Sequence, residues 1–112
     1  MNAQLVRELI DSVEREVNNG GFDQFFFNSA GDRTSEIIHA LNAIGAQRTA
    51  TILEDAASKF PGGVPPADRN ERQNLIAKIS PNSDAFETQD ERFLQYKDDL
   101  TGLVNAYVSK LR

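Results

Sequence analysis

Leu5, Val6, Leu9, Ile10, Val13 and Val17 recur at intervals of three and four residues, the period of one face of an α-helix. The pattern predicts an amphipathic helix over residues 3–18. Asn19-Gly20-Gly21 should stop it, because glycine accepts the left-handed backbone that helix ends favour. Four of the seven phenylalanines then fall between Phe22 and Phe27. That segment is too short for an independent helix but suits a packed two-turn one, with Phe22, Phe25 and Phe26 on one side at i, i+3 and i+4. Gly31-Asp32 reads as a turn, with Asp32 as N-cap of a helix that carries Ile37, Ile38, Leu41 and Ile44 and ends at Gly45.

A further helix is expected from about Ala46 to Phe60, with Ala50, Leu53, Ala57 and Phe60 on one stripe; its small residues suit close packing. Pro61-Gly62-Gly63-Val64-Pro65-Pro66 forbids regular structure. Asp68, with Glu71 three residues on, has the logic of a capping box and opens a helix through Leu75, Ile76 and Ile79. Ser80-Pro81-Asn82-Ser83 breaks the chain again. Phe86, Phe93, Leu100, Leu103, Val104, Tyr107, Val108 and Leu111 then predict a short helix and a longer terminal one starting near Asp98. No segment alternates with period two for long enough to make a strand, and no solenoid repeat is present. The expectation is an all-α bundle of five to seven helices, one domain over residues 1–112, a length that can bury one core without staples.

Composition narrows the chemistry. The chain has no cysteine, so disulfides, thiolate nucleophiles and zinc–thiolate sites are excluded. No apolar run is long enough to span a membrane, and the N-terminus lacks the basic-then-apolar order of a signal peptide; a cytoplasmic location is expected. The net charge of −5 disfavours direct contact with nucleic acid or anionic membranes; it permits a basic protein partner, although such mild acidity commonly serves solubility alone.

The run Val17-Asn18-Asn19-Gly20-Gly21-Phe22-Asp23-Gln24-Phe25-Phe26-Phe27-Asn28, followed by Gly31-Asp32 and by Ala40-Leu41 with Ile44-Gly45-Ala46, resembles a bacterial family typified by a DNA-mimic protein. Ile52-Leu53 with Ala56, Phe60-Pro61, and the Phe93–Tyr107 stretch with Asp98-Asp99-Leu100 extend the likeness over most of the chain. The resemblance implies an all-helical domain that often self-associates; the apolar excess at Phe26 and Phe27 is in keeping with a homodimer, or with packing of one ring against the acidic terminal segment. It also implies an acidic surface that stands in for DNA at the binding site of a transcription factor or nucleoid protein.

Two groups of residues are candidates for function. Asp84, Glu87, Asp90, Glu91, Asp98 and Asp99 face only Arg92 and Lys97 within residues 84–99, so this stretch carries −4 of the chain's −5. If it is helical, Asp84, Glu87, Glu91 and Asp98 lie close to one face. Carboxylates one turn apart are then roughly 5–6 Å from each other, near the scale of neighbouring phosphates. The plain alternative is a solvated face, with Asp98 and Asp99 favouring a helix start.

The second group is the motif: Asn19, Gly20, Gly21, Phe22, Gln24, Phe25, Asn28 and Asp32. Its carboxamides either line a pocket for a small molecule or peptide or tie down the backbone where two helices meet; the structural role is the stronger expectation. The only histidine, His39, falls beside the apolar stripe toward solvent, without a nucleophile. Metal-binding and P-loop spacings are absent, and Arg69, Arg72 and Lys78 are diluted by Asp68 and Glu71. The chain reads as a non-enzymatic acidic binding protein without a cofactor.

Overall fold

The computed structural model describes residues Met1–Arg112. It contains six α-helices and no strand: α1 (Ala3–Phe27), α2 (Thr34–Ala43), α3 (Gln47–Ala57), α4 (Arg69–Ile79), α5 (Glu87–Leu94) and α6 (Leu100–Lys110). Short 3-10 turns occupy Ser29–Arg33 and Pro61–Gly63.

The Asn2 side chain caps α1 by accepting from the Leu5 N–H at 2.8 Å. Val6, Leu9, Ile10, Val13 and Val17 are buried along its first arm, as their spacing requires. The expected stop at Gly20-Gly21 is a kink. Gly20 (φ −155°, ψ 19°) and Gly21 (φ 71°, ψ −169°) leave helical geometry, and the helix resumes in a new direction. Its second arm buries Phe22, Phe25 and Phe26 completely. Phe26 stands at the centre of an aromatic core, 4.9 Å from Phe60, 5.3 Å from Phe86 and 5.1 Å from Phe25 between ring centroids. Phe22 adds an edge contact to Phe93 at 5.8 Å. Six phenylalanines from four parts of the chain thus meet in one cluster, while Phe27 remains half exposed.

The other elements dress this kinked helix. Helices α2, α4, α5 and α6 all pack on α1, α6 beside the first arm and α4 and α5 beside the second. Helix α3 pairs with α2 across Gly45 (φ 85°) and also packs on α5. Buried Ala50, Ala56 and Ala57 give α3 the small face expected of it. All 24 buried apolar residues form one continuous core.

Two local expectations need correction. Asp32 does not cap α2: the position before the helix is Arg33, without a side-chain cap. The Ser29–Arg33 turn instead aims Asp32 at two arginines, Arg69 at 2.8 Å and Arg72 at 2.7 Å. Helix α3 ends at Ala57 rather than Phe60, although Phe60 still reaches the core. Asp68 does cap α4, accepting from the Glu71 N–H at 2.9 Å.

Candidate functional site

The kink is where the two groups of candidate residues meet. Gly21 leaves the Phe22 N–H without a helical acceptor, and the Asp90 carboxylate of α5 takes it at 2.8 Å. A Cβ on Gly21 would lie within 2.5 Å of that carboxylate, so the glycine provides both the left-handed backbone and the space for Asp90. Burial raises the Asp90 pKa; the bond from Phe22 lowers it, and the charges of Asp23 and Glu87 raise it further. Asp23 and Glu87 therefore both lie near Asp90. Glu91 follows Glu87 by one turn of α5, which extends the carboxylates along that helix. Asp84 lies in the turn just before α5 and is exposed.

The carboxamides brace the same kink. Asn19 donates to Gln24 Oε1 at 3.1 Å, and Gln24 donates to Glu16 at 2.6 Å. Asn28 donates to both oxygens of Glu16, at 3.2 and 3.4 Å. Glu16 belongs to the first arm of α1 and its two donors to the far side of the kink, so one carboxylate clamps the bend. Gly20 is the companion of this clamp, since a Cβ there would collide with the Gln24 side chain. The amides of Gln24 and Asn28 thus bridge the two arms through the Glu16 side chain rather than through backbone groups.

A row of acids running from Asp84 to Asp98 does not form. Helix α5 ends at Leu94, and Tyr96 takes a left-handed φ of 46°. Beyond that break Asp98 accepts from the Thr49 N–H at 2.8 Å and from its hydroxyl at 3.0 Å, at the start of α3. Asp99 caps α6 through the Gly102 N–H at 3.1 Å. Both are bound to helix N-termini, which complement negative charge. Of the six candidate acids, Glu87, Asp90 and Glu91 share α5 with Asp84 beside them, while Asp98 and Asp99 lie elsewhere.

Residues 3–111 match the family model described as DMP19-like protein. The chain belongs to the DMP19-like protein family. No curated protein and no solved structure matches it. For a DMP19-like chain the informative region is the junction of kink and α5, because motif and acidic helix are there joined by a single hydrogen bond.

Three residues gave too little sign in the sequence to be singled out for these roles. Arg72 is fully buried. It donates to the carbonyls of Phe26 (2.6 Å), Asn28 (2.9 Å), Pro66 (2.9 Å) and Ala67 (3.2 Å), and to Asp32. Its position at i, i+4 and i+7 with Ile76 and Ile79 was the available signal: an arginine on an apolar stripe. Glu16 and Asp23 gave no comparable sign, since their neighbours are fixed by the kink. Asp32, next to its two arginines, has its pKa lowered, first by the Arg69 hydrogen bond. His39 is exposed, and no group of three His, Asp or Glu side chains converges to hold a metal ion. No helix is long and apolar enough to cross a membrane.

An open groove of about 490 Å³ runs beside the motif, lined by Asp23, Gln24, Phe27, Asn28 and Asp90 among others. Phe22 is not in it; its ring is wholly in the core. The amides of Gln24 and Asn28 that border the groove are already donated to Glu16.

Proposed function

We propose that this chain is a non-enzymatic, acidic binding protein of the cytoplasm that occupies the DNA-binding face of a basic partner, a transcription factor or nucleoid protein. The observation that carries the reading is the band of Asp23, Asp84, Glu87, Asp90 and Glu91 around the kink, in a chain of the DMP19-like family. None of these five carboxylates pairs with a lysine or arginine; Glu8, Glu54 and Glu71 are unpaired too, and what sets the five apart is the proximity of Asp23 and Glu87 to Asp90. Unpaired charge projects a field that a basic groove can meet. Self-association is part of the same proposal, with half-exposed Phe27 as its apolar contact.

Supporting the mimic over a small-molecule module is the state of the motif. Phe22, Phe25 and Phe26 fill the core, and the Gln24 and Asn28 amides that border the groove are already committed to Glu16. Capture from the native host at low salt, repeated with Glu87→Lys/Glu91→Lys, tests the reading. Basic DNA-binding proteins should be retained by the parent chain, released by salt and by added duplex DNA, and lost with the double reversal. Retention that survives both the reversal and high salt would refute it.

A further inference from the structure

The largest groove in the molecule, about 520 Å³, lies between α3 and α5 and has the opposite charge. Arg48, Arg92 and Lys97 line it against one carboxylate, Asp55. Ile52 and Phe93 supply apolar wall, and Thr51 and Gln95 supply polar groups. Three cations converging on one concavity is unexpected in a chain of net charge −5.

The rim of this groove is built by specific contacts. Lys97 follows Tyr96, which holds a left-handed φ of 46°. That backbone is strained for a residue with a Cβ and persists only where its surroundings impose it. Here the Tyr96 hydroxyl is held by Asn18 at 2.7 Å and by Glu14 at 3.1 Å. On the far side of Lys97, Asp98 is fastened to Thr49 of α3. Arg48 donates across the opening to the Lys97 carbonyl at 3.4 Å. The loop is thus fixed at both ends and bridged at its middle. The ammonium of Lys97 and the guanidinium of Arg48 have no carboxylate within ion-pair distance, and Arg92 has only the exposed Asp55 at 3.2 Å.

We propose that this groove is a binding site for a small polyvalent oxyanion. Planar guanidinium forks bind phosphate and carboxylate oxygens in pairs, and a lysine adds a point charge. The volume falls in the range of small-molecule sites, about 300–1,000 Å³. A nucleic-acid strand is a poor fit, because the basic area ends at the groove while Glu91 and the rest of the acidic helix continue beside it. The site shares no carboxylate with the acidic band and does not depend on the mimicry reading.

The test uses the full chain, titrated with pyrophosphate and separately with citrate, followed by calorimetry and by backbone amide shifts. Either ligand should shift residues 48–52 and 92–97 and saturate. Binding of pyrophosphate alone assigns a phosphate ligand, and binding of citrate alone a polycarboxylate. Arg48→Gln/Lys97→Gln should weaken binding by about tenfold or more, the loss of one or two charge-assisted contacts, and Lys97→Gln alone, which breaks no side-chain hydrogen bond, should weaken it with an unchanged melting temperature. Lys59→Gln/Lys110→Gln, which removes the same charge elsewhere, should leave affinity unaltered. Failure of both ligands to saturate, or an equal loss in the control pair, would overturn the proposal.

Discussion

Arg72 and Gly21 show how much depends on single positions. Arg72 satisfies four carbonyls and the Asp32 carboxylate from inside the core. Arg72→Met keeps comparable bulk yet leaves those carbonyls unpaired, and should cost about 3–5 kcal/mol, measured by urea unfolding. Arg72→Lys, with three donors and no fork, should recover only part of that. At Gly45 a Cβ would meet nothing within 4 Å, while at Gly21 it meets the Asp90 carboxylate. Both glycines are left-handed, so Gly45→Ala should cost about 1–2 kcal/mol from backbone strain alone. Gly21→Ala should cost more, because a ψ of −169° at positive φ is open essentially to glycine alone and because Asp90 must also leave the Phe22 N–H. The two causes separate in an Asp90→Ala background: the excess cost of Gly21→Ala should shrink there, and an unchanged excess would show that Asp90 does not hold the kink.

At the scale of elements, the bend of α1 is an assembly of hydrogen bonds. Gln24→Ala or Asn28→Ala removes a donor from half-buried Glu16 and should lower stability by about 1–3 kcal/mol; their helicity by circular dichroism should change little. The links from α5 and its connection to α1 carry a pH signature. Asp90 and Glu14 both have raised pKa values, chiefly through burial. A carboxyl raised in the folded state binds its proton there before the unfolded chain does, so its contribution to stability grows as pH falls and is lost as pH rises through the folded pKa. Asp32, lowered by its arginines, contributes above the ordinary carboxylate pKa and loses that contribution as pH falls through its own. The melting temperature should therefore rise on acidification from neutrality and fall below the ordinary carboxylate range. Asp90→Asn/Glu14→Gln should flatten the rise and leave the fall. A parent chain that loses stability steadily from pH 7 downward would contradict this.

Helix existence was legible because the stripes of α1, α2 and α3 repeat cleanly, and the Asp68 cap was written locally. The cap predicted at Asp32 failed for a tertiary reason: Arg69 and Arg72, distant in sequence, compete for the carboxylate and win. The acidic residues were visible as a count, but their grouping was not. One left-handed residue, Tyr96, divides them, and nothing around a tyrosine announces that conformation. The tie between Asp90 and Phe22 spans 68 positions and follows only from packing α5 across the kink.

For the whole molecule, opposite charges occupy separate regions. Asp23, Glu87 and Asp90 meet at the kink with Glu91 one turn on, and Arg48, Arg92 and Lys97 line the groove beside α3. The first surface is read as the one presented to a basic protein, through a fold built around aromatic packing. Such an interface should weaken steeply with ionic strength, because its attraction is carried by exposed charges. The most direct measurement is competition: a basic DNA-binding protein captured from the host, bound to labelled duplex, is titrated with this chain while anisotropy is followed. The parent chain should displace the duplex, and Glu87→Lys/Glu91→Lys should fail to do so while Glu8→Lys/Glu54→Lys still succeeds. Equal displacement by all three proteins would contradict the assignment of the α5 band as the surface that replaces DNA.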